Sequence, residues 1–193
     1  MIKRDYRKAF LPENARCVSE GVLFDVYQWE QELYDGTTKK FERLVGRDIG
    51  KIVPVLEDGR ICITKDEQPA RPPLTKLPGG YVDDGETPEV CAVRELLEET
   101  GYKPMRVEPL LDIAPWNKVD YHRVYFVAKG CVRVQDPLVQ AGEKIESKLV
   151  SLDEFLTLLA DGAIDDVQLQ VLALQAFRDP TKMLALRKLL SPD

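Results

Sequence analysis

Histidine is nearly missing from this sequence: His122 is the only one in 193 residues. With no second histidine to share a site, His122 reads as an ordinary strand residue rather than a catalytic group. The 4 cysteines, Cys17, Cys62, Cys91 and Cys131, are scattered without a C-x-x-C pair. That spacing argues against a zinc site or a disulfide framework and fits a reducing cytoplasm. No apolar run reaches the roughly 18 residues that a membrane span needs, and the opening Met1–Tyr6 is too polar for a secretory leader. Positive charge is in deficit, with 27 Lys and Arg against 33 Asp and Glu, a net −6. A nucleic-acid-binding surface needs clustered cations, so that partner is excluded, as is a membrane. A small anionic ligand stays open if a metal supplies the positive charge.

The chain that is present reads as ordinary folded protein, with 44% hydrophobic and 31% charged residues. Alternation over Val22–Tyr27, continuing to Leu33, then Asp35-Gly36 and a restart near Phe41, predicts an N-terminal β-hairpin. A second hairpin is expected from Lys51–Leu56 and Arg60–Thr64 around Asp58-Gly59. Gln68–Pro73 reads as a loop. A helix should follow the glycine-punctuated stretch Leu77–Glu86: Thr87 as N-cap, Pro88 at the first position, and a stop at Gly101. Val90, Val93, Leu96 and Leu97 are its expected buried face. His122–Val134 reads as a strand or hairpin broken at Lys129-Gly130. Helices are expected over Leu152–Ala160, over Asp165–Arg178 with Val167, Val171, Leu174 and Phe177 on one side, and over Lys182–Leu190. Strands, one central helix, more strands and terminal helices describe an α/β or α+β sandwich.

The chemistry concentrates in Arg94-Glu95-Leu96-Leu97-Glu98-Glu99. At about 100° per residue, Glu95, Glu98 and Glu99 share one helix face. Like charges at i, i+3 and i+4 repel, and a hard divalent cation such as Mg²⁺ relieves that cost. A solvated acidic face is the alternative on the helix alone. Gly79-Gly80 allows a close backbone approach, so a carbonyl could join the carboxylates. Glu86 stands just before the helix, where Arg94 can reach it.

The spacing over these 23 residues is Gly80, five residues, Glu86, seven residues, Arg94-Glu95-Leu96, one residue, Glu98-Glu99, one residue, Gly101, Tyr102. It resembles the Nudix box, with every glycine, glutamate and arginine in place and Tyr102 where the family usually has an aliphatic residue. The resemblance implies an α/β (α+β) Nudix fold, mixed β-sheets sandwiched between helices with N-terminal antiparallel strands. It implies Mg²⁺ or Mn²⁺ held by Glu95, Glu98, Glu99 and the Gly79 carbonyl, with Glu86 and Arg94 orienting the ligands. Cleavage of a diphosphate in a small nucleoside-diphosphate compound is the expected activity.

Outside the box the chain resembles the ADP-ribose pyrophosphatase branch, through Phe24–Tyr27, Phe41–Arg43, Val150–Phe155 and Gly162–Asp166. That implies residues 1–45 as an N-terminal hairpin extension that dimerises and 46–193 as the Nudix domain. ADP-ribose is the favoured substrate, with GDP-mannose, dinucleoside polyphosphates, nucleoside triphosphates or a non-catalytic nucleotide-sensing role as alternatives. Pro115 lies 14 residues after Gly101, two short of that branch's usual spacing. The branch uses a later glutamate to assist the attacking water. Glu143 and Glu146 both lie in the corresponding acidic loop, and Glu143 is favoured because the next strand reads as starting near Lys148. Trp29, Trp116 and Pro115 are candidate substrate contacts, with plain packing as the other reading of either tryptophan.

Overall fold

Asp35-Gly36 turns the first strands back on themselves, as the hairpin chemistry requires. The computed structural model describes residues 11–69, 71–113, 118–138 and 144–192. Strand β1 (Arg16–Ser19) pairs antiparallel with β2 (Phe24–Glu32), and β2 with β3 (Thr38–Gly46). Gly36 takes a φ of 79°, and the Asp35 carboxylate accepts from the Thr37 amide at 3.0 Å to close the turn.

The chain then passes Arg47-Asp48 into a second, larger sheet. Its strands are β4 (Ile49–Leu56), β5 (Ile61–Glu67), β6 (Leu74–Lys76), β7 (Gly79–Tyr81), β8 (Tyr102–Lys103), β9 (Arg106–Ile113), β11 (Arg123–Arg133) and β12 (Lys144–Val150). Short β10 (Val119–Asp120) instead joins the first sheet, parallel to β3. Strands β4 and β11 run parallel at the centre of the larger sheet, and the other pairings there are antiparallel, which makes the sheet mixed. Asp48 fastens the junction between the two sheets. Its carboxylate accepts from the His122 amide at 2.6 Å and its carbonyl from the Val82 amide at 2.8 Å. His122 is buried here with its Nδ1 2.9 Å from Asp112, an architectural position.

Period-two alternation along β4 sends Ile52 and Leu56 to one face and Val53 and Val55 to the other. Helix α1 (Pro88–Thr100) covers the first face, where Ala92 and Leu96 pack with Ile52, Cys62, Phe126 and Ala128. Helices α2 (Leu152–Ala160), α3 (Val167–Arg178) and α4 (Pro180–Leu189) cover the other, around Tyr125, Val127, Phe155, Leu156 and Leu169. A mixed sheet between helices is the architecture the sequence implied.

Several expectations need correction. Val90 is exposed, and Cys91, Ala92 and Leu96 carry the buried face of α1. Helix α3 buries Leu169, Ala173 and Ala176, while Val167, Val171, Leu174 and Phe177 face outward. Both sets recur at helical spacing, so periodicity cannot choose between them. The two alanines are small enough to let α3 sit close to its neighbours, and close packing decides the face. Of the strand or hairpin expected over His122–Val134, the structure has the strand, β11 (Arg123–Arg133), with a register shift between Ala128 and Cys131, at Gly130 (φ 62°). Helix α4 starts at Pro180, two residues before the expected Lys182, because the Asp179 carboxylate caps the Thr181 amide at 2.9 Å.

Candidate active site

Residues 79–101 build the site, and the caps of α1 frame it. The Thr87 hydroxyl accepts from the Val90 amide at 3.3 Å, Pro88 takes the first helical position, and Gly101 ends α1 with a φ of 74°. A side chain at Gly101 would place its Cβ 2.1 Å from the Gln135 carbonyl, so only glycine lets the chain leave the helix there. Gly50 permits the opposite end to seat, since a Cβ there would lie 2.3 Å from the Pro88 carbonyl oxygen.

Arg94 organises the glutamates. Its Nε donates to Glu86 Oε1 at 2.8 Å and its Nη2 to Glu86 Oε2 at 3.0 Å, a two-point clamp across the loop. Its Nη1 donates to Glu95 Oε1 at 2.8 Å and to Glu98 Oε2 at 3.3 Å. The Arg94 guanidinium holds Glu86 below the ordinary carboxylate range. Burial pushes the Glu95 carboxyl up, against the pull of Arg94. Burial also pushes Glu99 up, to about 7, partly opposed by Lys76.

The glycines explain how the loop meets this face. A Cβ at Gly80 would sit 2.3 Å from Glu95 Oε1, so the strand passes within contact of the ladder. Gly79 pairs with Lys51 of β4, where a Cβ would lie 2.9 Å from the Lys51 Cα. Gly80→Ala is therefore expected to displace Glu95 and lower kcat about 10- to 100-fold. The thermal midpoint should change little, because the methyl meets the end of a side chain rather than backbone. Steady-state kinetics beside a melting curve reads both.

The donor set suits a hard divalent ion. Glu99 Oε2 is buried with no hydrogen-bond partner among the described residues, an uncompensated anionic oxygen beside two further carboxylates. Among the described residues, no three acidic groups converge as a finished metal cage. Glu95 and Glu98 are drawn to Arg94, and Glu99 Oε1 to the Lys76 ammonium at 2.9 Å.

The remaining candidates divide. Arg94 gathers Glu86, Glu95 and Glu98, and Gly80 lies against Glu95, whereas Glu99 is held by Lys76 and Gly79 pairs with Lys51. Trp29 does not join them: its indole donates to Gln31 at 3.0 Å and its ring packs on Phe41, both within the β2–β3 ribbon. Pro115, Trp116 and Glu143 lie outside the described residues. Strand β12 begins at Lys144 rather than near Lys148, so Glu146 is an exposed strand residue opposite Lys65 and not a loop glutamate.

One polar cluster was not anticipated. Asp166, fully buried, caps α3 by accepting from the Leu169 amide at 3.1 Å, and it also accepts from the Tyr125 hydroxyl at 3.1 Å and Lys51 Nζ at 2.9 Å. The neighbouring Asp165 amide donates to the Thr75 carbonyl at 2.8 Å, which ties this cap to the strand leading into the glycine loop. Nothing in local spacing announces a pairing across 115 residues.

These features define a class before a member. The NUDIX domain matches residues 48–172, well over half of the chain, and the chain belongs to that family. It is a Nudix pyrophosphohydrolase resembling the ADP-ribose pyrophosphatase branch. The ADP-ribose pyrophosphatase of Bacillus subtilis (strain 168) is 25% identical over 154 residues, 78% of this chain and 83% of that one. A CMP-5'-(N-acetyl-N-hydroxy-3-aminopropyl)phosphonate hydrolase of Streptomyces rubellomurinus is 42% identical over 88 residues, 45% of this chain. This chain spans only 42% of that enzyme's length. The crystal structure of an ADP compounds hydrolase matches with a TM-score of 0.69 at 22% identity, covering 86% of this chain and 90% of that one, and establishes the shared fold.

Proposed function

We propose that the protein hydrolyses the diphosphate bond of a nucleoside-diphosphate sugar, with ADP-ribose favoured, giving a nucleoside monophosphate and a sugar phosphate. The observation that carries this reading is the similarity to an ADP-ribose pyrophosphatase over 78% of the chain, too long a stretch to come from the glutamate box alone. Glu95, Glu98, Glu99 and the Gly79 carbonyl would hold Mg²⁺ or Mn²⁺. The bound metal would neutralise the diphosphate and polarise the phosphorus for attack by water. Arg94, tied to Glu86, keeps Glu95 and Glu98 on one side of the helix and limits their freedom before any ligand arrives. Glu143 is the residue we assign to drawing the proton from the attacking water.

The test is turnover of a panel with Mg²⁺: ADP-ribose, GDP-mannose, a diadenosine polyphosphate, a nucleoside triphosphate and a CMP-linked phosphonate. ADP-ribose should give the highest kcat/KM, with AMP and ribose 5-phosphate as products. A preference for the CMP compound would instead follow the Streptomyces similarity. Ligand binding without turnover of any member would make the protein a nucleotide sensor.

A further inference from the structure

Lys76 stands outside the glutamate box, yet it holds one of the box's carboxylates. It lies on β6, two residues before Pro78 and the glycine loop, and its ammonium is mostly buried. Nζ is 2.9 Å from Glu99 Oε1 and 2.8 Å from Asp66 Oδ2. Asp66 is fully buried on β5 and receives a second cation, Arg71 Nη2, at 2.8 Å on the same oxygen. Its other oxygen has no hydrogen-bond partner among the described residues. The order Arg71, Asp66, Lys76, Glu99 alternates in sign from a partly exposed guanidinium to the buried glutamate.

The arrangement has two physical consequences. Holding Oε1 fixes the Glu99 carboxylate and leaves the buried Oε2 as the oxygen free for an ion. A cation beside a divalent metal also opposes its binding, while a carboxylate behind that cation draws part of its charge away. An ammonium carries three donors, so Lys76 can serve both carboxylates together.

We propose that Lys76 is a resident counter-cation that sets how tightly the glutamate site holds its metal, and that Asp66 moderates it. Lys76 is thus a positioning residue acting through Glu99. The inference rests on the reading of Glu95, Glu98 and Glu99 as metal ligands.

The experiment is calorimetric titration of Mn²⁺, and separately Mg²⁺, into metal-stripped full-length protein, with no substrate present. Lys76→Met should tighten the metal Kd by about tenfold and Asp66→Asn should weaken it by a similar factor, the scale of one unit charge near a divalent ion. Lys76→Arg, which keeps the charge, should stay near wild type. Weakening in Lys76→Met, or no change in either variant, overturns the inference. Should Lys76→Met fail to fold, Asp66→Asn decides alone, and unchanged or tighter binding there overturns it. The metal assignment fails separately, if wild type shows no binding or Glu98→Gln and Glu99→Gln leave the isotherm unmoved.

Discussion

Glu98→Gln and Glu99→Gln should each lower kcat about a thousandfold at saturating Mg²⁺, roughly 4 kcal/mol of lost transition-state stabilisation. Each replaces a carboxylate proposed to bind the metal with an amide that keeps the shape and discards the charge. The two variants should separate in stability. Glu99 is held at about 7 by burial, so its ionised form is costly in the folded protein. Glu99→Gln removes that cost, and Asp66 keeps Lys76 paired at 2.8 Å. Its thermal midpoint should therefore equal or exceed that of wild type while activity collapses. Glu98 is about one-third exposed and meets Arg94 at 3.3 Å, so its loss should leave stability nearly unchanged. Steady-state kinetics on ADP-ribose and melting curves of the metal-free proteins measure both halves. Full activity in both variants would remove the metal assignment.

The parts of the site readable in the sequence are those set by short-range geometry. A helix places residues 95, 98 and 99 on one face whatever surrounds it, and its caps are written in Thr87, Pro88 and Gly101. Both hairpins were legible for the same reason, through Asp35-Gly36 and Asp58-Gly59. What escaped depends on contacts between distant segments. The buried face of α3 is ambiguous in the sequence because two apolar stripes compete, and only packing against the sheet and neighbouring helices selects Leu169, Ala173 and Ala176. Lys76 reads as an ordinary strand lysine until β5 and β6 pair and bring Asp66 beside it. Val90 fits the helical pattern but is exposed, and the adjacent Cys91 and Ala92 are buried in its place. Trp29 fits either ligand stacking or plain packing in the sequence, and its described contacts are with Gln31 and Phe41 of its own hairpin.

Asp166→Ala should destabilise the fold by about 3–5 kcal/mol, the range for breaking a buried ion pair by removing one partner. At this chain length that corresponds to a fall of about 10 °C in the melting midpoint. Three losses coincide at this residue. The N-terminus of α3 loses its cap on the Leu169 amide, a contribution of about 1 kcal/mol. Lys51, whose side chain is only 15% exposed, loses the fully buried carboxylate 2.9 Å from its ammonium. The Tyr125 hydroxyl also loses an acceptor at 3.1 Å, in a core position with no exposure. Asp166→Asn retains an acceptor for the cap and the phenol but not the charge, so its cost isolates the ion pair. The double variant Asp166→Ala with Lys51→Met should recover a good part of the loss, because no buried cation is left unpaired. If the double variant is no more stable than Asp166→Ala, loss of the cap and not the stranded ammonium accounts for the effect. Lys51 pairs in register with Gly79, and the α3 cap is tied through Asp165 to Thr75, one residue before Lys76. The same substitution should therefore loosen the glycine loop and raise the metal requirement for activity at temperatures where the fold is still intact.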